Sequence, residues 1–402
     1  MVLNNSHLNK VPDVSLGRLN LRQELIALMT LDFNTHAEAV VFHCARILEA
    51  SVFKVLKDYG LEQVASDLHP GLLALSQERW LSESEFNAFD ALRRTGNDVR
   101  HINRRISDAD ATFSLWAAQQ ALSWYFTVSG QGDKSFLQEV FVRSQEHSVY
   151  GALCNVEARL EAEAIEQLAT SVSKSPVLFS LLLERLLDRH EPERAIEFIK
   201  NAGPDVRDYR RVVLLNALGY SRLGDFEQAL SVLDRRQDKD AWLYQSGDAV
   251  GIRGGCLKQA WSKTDSLDKL ERAFKLYRDG WLNPRQRDVY LGINAAACAL
   301  WLGKSGESVQ LAKEVREELA KFDGKERPQA ISAIEASPWR TLTRAESDLL
   351  AGDRSKAAKR YRDLFEQLKN QEGRLVSSKR QLRLHLEKLG LTSRSHEFGL
   401  TN

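Results

Sequence analysis

The sequence predicts an all-α protein, in which an N-terminal helical bundle is followed by an α-solenoid of stacked helix pairs. Three observations predict this fold. Apolar residues recur at helical spacing along most of the chain, and we find no run of clean alternation bounded by turns, as a half-buried strand would require. The short polar run Ser129–Lys134 separates two regions whose sequence patterns differ. Beyond this run, similar turns recur between apolar helices.

The composition is that of an ordinary globular protein, and it excludes several functional classes. A chain of 402 residues can form two or three domains. Its net charge of +1 excludes a globally basic nucleic-acid binder, although a local basic patch remains open. The 4 cysteines lie far apart without a CxxC pair, so we expect no metal site, no disulfides and no cofactor. With no signal-peptide-like start and no apolar run near ~18 residues, we expect a cytoplasmic protein without membrane contact.

We expect residues 1–18 to be a flexible lead-in and residues 19–130 to form the bundle. Thr35–Glu38 has the capping-box pattern that opens a helix. Apolar residues then recur at helical spacing as far as Gly60, where a glycine suits a left-handed C-terminal cap. A shorter helix should cover Leu72–Gln77.

Two further capping signals follow in the bundle. Ser82 or Ser84 should begin a helix that runs through Leu92, and Ser107–Asp110 should begin another. The second of these helices carries aromatic residues along one side as far as Phe126. Together these elements predict a compact bundle of about four or five helices.

The sequence pattern of residues 135–371 predicts repeated helix pairs. Two similar turns precede Ala195 and Ala229, which are 34 residues apart, and this is the tetratricopeptide (TPR) period. A small residue at this place suits the close approach of the two helices in a hairpin. Leu302–Lys304 and Ala351–Asp353 repeat the turn with less regular spacing. Because one pair cannot bury its own apolar face, the stacked pairs must share a core.

Residues 372–402 contain a basic amphipathic helix, expected at about Arg374–Leu389, and a tail. This helix should cap the stack or dock elsewhere, and a solvated cap is a simpler interpretation than an RNA contact. Trp301 and Trp339 are either repeat core or aromatic anchors in the groove of the solenoid, where they would bind a peptide. The glycines of residues 251–255 lack the preceding strand and the Lys-Ser/Thr ending of a phosphate loop, so tight helix packing is favoured.

The segment Leu92–Arg105 concentrates positive charge on what should be one helix. Arg93, Asn97 and His101 fall at positions i, i+4 and i+8, with two further arginines beside them. The opposite side is apolar. The simplest interpretation is a solvated helix face or a dimer interface.

The spaced residues Arg94, Gly96, Asn97 and His101, placed before an aromatic-rich helix, resemble a branch of the HEPN superfamily over about residues 20–128. Many HEPN domains are metal-independent ribonucleases that act as dimers, and each subunit supplies an Arg followed a short distance later by a His. At the shortest family spacing the Arg position is Gly96, which cannot serve, and at the longest it is Arg94. The resemblance therefore implies a homodimer whose catalytic pair is Arg94 and His101.

This chemistry suits these residue types. Histidine can move protons at neutral pH, and arginine holds phosphate through bidentate hydrogen bonds. As the resemblance implies, His101 would be the acid/base, Arg94 would hold phosphate, and Asn97 would orient the His or the phosphate. The further arginines expected to bind RNA phosphate are Arg93, Arg100, Arg104 and Arg105.

A second resemblance lies in the repeats. Three blocks, Val289–Ala296, Trp301–Gly303 and Trp339–Glu346, look like the TRAFs-binding helical-repeat region of stress-signalling MAP-kinase-kinase kinases and bacterial conflict proteins. The resemblance covers about residues 205–370. It implies protein interaction and regulation, with a protein or peptide partner on the solenoid.

The sequence therefore favours an HEPN-type ribonuclease effector controlled by a TPR-like sensor array, in prokaryotic antiviral defence or a toxin-like stress response. The alternative is a non-catalytic scaffold or adaptor. Its bundle would dimerise or bind nucleotide or RNA ends, and its repeats would recruit a partner protein. The missing arginine at Gly96 favours the scaffold, whereas the local excess of arginine favours the ribonuclease.

Overall fold

The structure, a computed structural model, is almost wholly helical in the residues that it describes, which confirms the all-α prediction. One short antiparallel pair joins β1 (Ser15–Leu16) to β2 (Leu19–Asn20). The described residues are 11, 14–16, 19–31, 35–61, 67–101, 104–132, 134, 137, 141, 148–155, 162–235, 246–283, 288–320, 327–331, 338–369 and 372–400.

The chain divides into two compact units. Unit 1 comprises Met1–Arg185, Gly203–Val206 and Glu326–Ser337. Unit 2 comprises Leu186–Ala202, Arg207–Lys325 and Pro338–Asn402. The expected domain boundary at Ser129–Lys134, and with it the bundle at residues 19–130 and the repeats at residues 135–371, stays a prediction.

Unit 1 is built on long amphipathic helices whose apolar faces pack together, with α2 at the centre against α4 and α5. Its core includes fully buried aromatic side chains from α4 and α5. The helices are α1 (Leu21–Thr30), α2 (Ala37–Asp58), α3 (Leu68–Gln77), α4 (Glu83–Arg100), α5 (Asp108–Ser129), α6 (Ser148–Cys154), α7 (Ala162–Val172) and the first part of α8 (Pro176–Asp188).

The capping signals of the bundle are mostly confirmed. Ser82 forms a capping box with Glu85, and Ser107 forms one with Asp110. The cap expected from Thr35 is wrong: the N-cap of α2 is the next residue, and its side chain makes no capping hydrogen bond. The Thr35 hydroxyl lies 2.7 Å from the imidazole Nδ1 of that residue instead, so the hydroxyl has a local alternative to the helix N–H groups.

Unit 2 consists mainly of helix pairs. Consecutive hairpins are α11 with α12, α13 with α14, α15 with α16, and α17 with α18, and each packs on the next. The bounds are α9 (Pro192–Asn201), α10 (Pro204–Arg207, divided between the units), α11 (Arg210–Leu223), α12 (Phe226–Asp234), α13 (Gly247–Thr264), α14 (Leu267–Leu282), α15 (Val289–Trp301), α16 (Ser305–Ala320), α17 (Pro338–Leu350), α18 (Arg354–Gln367) and α19 (Glu372–Lys388).

The predicted repeat turns are confirmed by their backbone. Gly224, Gly303 and Gly352 have φ values of 79°, 77° and 98°, a region that glycine enters without steric cost. His190 takes the same left-handed place in the turn before α9, with φ 61°. The alanines that follow these turns, Ala195, Ala229 and Ala357, are buried where the paired helices approach, as their size predicted.

The glycines of α13 are packing residues and not a phosphate loop. A Cβ at Gly254 would lie 2.6 Å from the Tyr277 ring, and one at Gly251 would lie 3.0 Å from the Tyr290 ring. Within the described residues, no helix is long and apolar enough to cross a bilayer.

Candidate functional site

The arginine-rich segment is not one continuous helix, so this part of the prediction is wrong. Helix α4 ends at Arg100, and His101 is its C-cap, whose backbone N–H donates to the Asn97 carbonyl at 3.0 Å. Residues 102–103 lie outside the described residues. Arg104 and Arg105 therefore do not continue the helical face of Arg93, Asn97 and His101.

At Gly96, α4 packs closely against α2. A Cβ built on Gly96 would meet the Cβ of Ala45 well inside van der Waals contact. The glycine therefore serves packing. The same geometry excludes an arginine at the position that the shortest HEPN spacing would require.

Arg94 faces the interior of unit 1. Its side chain is 13% exposed, its Nε lies 3.1 Å from Asp90 Oδ2, and its Nη1 donates to Ser180 Oγ at 2.9 Å. Arg93 donates to the same carboxylate at 2.9 Å. Burial alone would raise the pKa of Asp90, but the charges of Arg93 and Arg94 hold it well below its ordinary value. Both arginines are thus engaged by one carboxylate.

Arg104 closes the connection between α4 and α5 instead of facing solvent. Its Nε donates to Asp98 at 2.8 Å, and its Nη1 and Nη2 donate to Asp110 at 2.7 and 2.9 Å. Asp110 is fully buried, and it also accepts from Ser107 and Ser175. Burial alone would lower the pKa of Arg104, but its hydrogen bonds and charge pairs with Asp110 and Asp98 raise it.

The remaining predicted residues lie on the last turn of α4 or follow it in the chain. Arg100, His101 and Arg105 are exposed, while Asn97 is half-buried on the last turn. Arg100 is paired with Glu49 at 2.7 Å. No side chain among the described residues donates to or accepts from the imidazole of His101. The structure thus separates one expected cluster into an exposed helix end and a set of internal ion pairs.

A second polar site, which the sequence did not single out, lies in unit 2 along α19. Arg374, Ser378, Gln381 and His385 are spaced by 4, 3 and 4 residues, so they share one face of the helix. Gln381 is half-buried and the other three are buried. This polar stripe lies against the first helices of successive hairpins, and we call the surface that receives it the groove.

A half-buried lysine joins the stripe to the groove. Lys258 on α13 donates to Asn294 Oδ1 of α15 at 2.7 Å and to Gln381 Oε1 of α19 at 2.9 Å. The other end of that amide, Gln381 Nε2, donates to Glu346 Oε1 of α17 at 2.6 Å. Burial lowers the pKa of Lys258, although the nearby Cys298 and Glu346 act in the opposite direction.

Aromatic rings form the next part of the groove. The His385 ring stacks on Trp301 with a centroid distance of 5.3 Å, and Trp301 stacks on Trp261 at 5.2 Å. His385 Nε2 lies 3.5 Å from Glu346 Oε1. Trp301 is thus both repeat core and groove lining.

The start of α19 meets the other end of the groove. Arg374 Nη2 lies 3.3 Å from Asp188 Oδ1 at the end of α8, and its guanidinium lies 5.5 Å from the centre of the Trp339 ring. Trp339 stays 45% exposed. The two tryptophans proposed as peptide anchors, Trp301 and Trp339, therefore both contact a helix, and this helix belongs to the same chain.

Of the two expectations for α19, docking is confirmed: its polar stripe packs in the groove and is not solvated. A solvated cap is the simpler interpretation of the sequence because polar residues at helical spacing normally face water. The signal in the sequence was the aromatic pair Trp301 and Trp339, which predicted a groove but not its occupant. In the part of the chain that the structure describes, no cluster of His, Cys, Asp or Glu could hold a metal ion.

The stacked helix pairs of unit 2 form a TPR-like α-solenoid. Residues 148–299 match the family model described as Tetratricopeptide Repeats-Sensor, a stretch that runs from α6 to α15. This part of the chain is thus similar to sensor-type TPR arrays. No curated protein matches the chain. The resemblances to HEPN domains and to the TRAFs-binding region stay predictions.

Proposed function

We propose that this protein is a cytoplasmic sensor or adaptor, in which the repeats of residues 135–371 bind a protein partner and the bundle of residues 19–130 carries the output. One observation supports this best. The first helices of the repeats already hold a helix through Lys258, Glu346 and Trp301.

The physical basis is the architecture of stacked hairpins. Each hairpin packs on the next, so the first helices form a continuous row with a long binding surface. Aromatic and charged side chains in such a row suit an amphipathic helix, which is recognised by anchors spaced at helical intervals. The sensor-type match over residues 148–299 supports the same reading.

The test uses the full-length protein in its own cells. A photo-reactive side chain replaces Trp339, which is 45% exposed in the groove, or Leu267, which is 61% exposed at the start of α14, as the matched control. We expect a specific protein adduct at position 339 and none at position 267. The adducted protein, once purified, should bind the unmodified chain saturably. Adducts at neither position, or equally at both, would contradict the proposal.

A second candidate function is metal-independent RNA cleavage by the bundle, as a HEPN-type effector in antiviral defence or stress response. The exposed imidazole of His101 supports it, together with the exposed side chains of Arg100, its neighbour in the chain, and Arg105. In this arrangement His101 would exchange the proton and the exposed cations would attract phosphate. Arg94, Arg93 and Arg104 would position the helix end, and two bundles would combine across a two-fold axis.

Expression of wild type beside His101→Ala tests this candidate. Growth arrest and RNA fragmentation are expected with wild type and are expected to disappear with His101→Ala. His190→Asn is the matched control, because His190 is an exposed histidine in a turn of unit 2. Fragmentation that survives His101→Ala, or intact RNA in every strain under phage and stress challenge, would rule out this role.

A further inference from the structure

Helix α19 is held in the groove by contacts that are specific but incomplete. Among the described residues, Ser378 Oγ and both ring nitrogens of His385 are buried without a hydrogen-bond partner, and so is Trp301 Nε1. Each such atom gives up its hydrogen bonds to water on burial and gains none in return, which weakens the attachment of the helix. The polar stripe therefore fixes the position of the helix more than it strengthens its attachment.

The attraction comes from the neighbouring face of α19. Leu382 and Leu386 are buried in a cluster with Tyr361 and Leu364 of α18. Burying a leucine side chain removes its apolar surface from water, which favours the docked position of the helix. The unmet polar atoms offset part of that gain, so α19 is less firmly attached than a wholly apolar helix of the same length would be.

The groove itself selects a particular chemistry. At one end Asp188 and the Trp339 ring take a guanidinium. In the middle, Lys258 donates to a group that must at the same time donate to Glu346, and a carboxamide can do both. Next to them, the face of Trp301 takes a flat ring.

We propose that the groove is the docking site for a helix from a partner protein, and that α19 is the resident competitor of that helix. This inference rests on the proposed function, because it names the surface and the ligand of the same repeat array. The partner helix carries a basic residue at position 0, an amide at +7 and a ring at +11. Leucines follow at +8 and +12, as Leu382 and Leu386 do after Arg374.

Competition explains how such a site can be regulated. A helix in the same chain has an effective concentration in the millimolar range, so it excludes weak competitors. A partner helix replaces α19 only when its attachment exceeds that advantage. Replacement frees α19 with its exposed cationic residues Arg380, Arg383 and Lys388.

The test uses the full chain and a fluorescent peptide with the sequence of residues 372–391, measured by anisotropy. The variant Gln381→Ala removes the amide from the resident helix and leaves the groove intact. We expect the peptide to bind this variant at least tenfold more tightly than it binds wild type. Arg383→Ala, an exposed position on the same helix, is the matched control and should bind the peptide as wild type does.

A peptide that itself carries Gln381→Ala should lose the tenfold gain in affinity for the Gln381→Ala chain. Equal binding of the peptide to wild type and to Gln381→Ala, or equal binding of a scrambled peptide, overturns the proposal. So does a Gln381→Ala dimer in which two copies exchange α19, because the groove then serves a second copy of this chain.

A second measurement on wild type does not depend on the variant being folded. Excess peptide should speed hydrogen exchange in the chain's own α19 while α15 stays protected. Unchanged exchange in α19 at saturating peptide overturns the competition. If the crosslink at position 339 captures a partner but the peptide does not displace α19, only this inference is contradicted. If the peptide displaces α19 but no partner is captured, only the proposed function is contradicted.

Discussion

Helices α4 and α19 are both rich in arginine, but their polar side chains find partners in different ways. Near the end of α4, Arg93 and, beyond the helix, Arg104 pair with carboxylates 3 and 6 positions away along the chain. Long-range contacts also occur here, because Arg100 and Arg94 reach Glu49 and Ser180, 51 and 86 positions away. On α19, Arg374 and Gln381 bond to Asp188 and Lys258, which lie 186 and 123 positions away.

The difference separates structural charge from a binding surface. Most of the ion pairs around α4 join residues at most 6 positions apart, so local carboxylates can neutralise arginines whose sequence pattern still looks like a phosphate site. Long-range pairs form only when several helices have stacked, so the side chains of α19 depend on a surface that several repeats build together.

Asp110→Ala should be the most damaging change in the bundle. It removes the buried partner of Arg104 and the acceptor for Ser107 and Ser175. Removing one member of a buried ion pair costs about 3–5 kcal/mol. Urea unfolding should show a loss of this size, whereas the exposed Asp108→Ala should stay close to wild type. Equal stability of the two variants would show that the Arg104 pairs are not structural.

Gly96→Ala should destabilise the packing of α4 on α2. The new methyl group would overlap Ala45, and overpacking of this kind costs about 1–3 kcal/mol. Ala45→Gly in the same chain should restore part of the loss, which a double-mutant cycle by chemical unfolding would measure. Additive losses in the double variant would show that the two residues do not meet.

Asp90 should make the free energy of unfolding of the bundle depend on pH in the acid range. Its folded pKa lies below the unfolded value of about 3.9, so its contribution is present above that pH and is lost as pH falls through the folded pKa. Asp90→Asn should flatten the pH dependence of unfolding below pH ~4, and Asp108→Asn should not. A single group changes stability by at most about 1.4 kcal/mol per pH unit. Identical acid profiles would show that Asp90 is not paired.

Lys258 should give the groove a dependence on alkaline pH. Its folded pKa is lowered, so between that value and the unfolded value of about 10.4 the unfolded chain binds more protons and stability rises with pH. Lys258→Met should remove this rise in thermal unfolding followed from pH 8 to 10, a range chosen to stay below about 10.4. Lys263→Met, at an exposed position on α13, should keep it.

The features that could be predicted from the sequence are local. Ser82 and Ser107 were identified as caps because the acceptor and the N–H groups lie within three residues of each other. The glycine turns at 224, 303 and 352 were identified because a left-handed residue carries its own signal. The cap at Thr35 failed because its hydroxyl had a second local partner.

The candidate site was predictable only in part. His101 was identified, and it lies exposed at the end of α4. The end of the helix at Arg100 was not identified, because Arg104 turns back to Asp98 and Asp110 through contacts that helical periodicity does not encode. The role of Arg94 was likewise decided by Ser180, 86 positions away.

By itself, the sequence determined that this protein is helical, that its second part consists of TPR-like pairs, and where the caps and turns lie. These depend on interactions within one or two turns of chain. Only the tertiary structure decided which polar residues are internal and that α19 occupies the groove. A stripe such as Arg374, Ser378, Gln381 and His385 looks like a solvated face until Asp188, Lys258 and Glu346 are brought beside it.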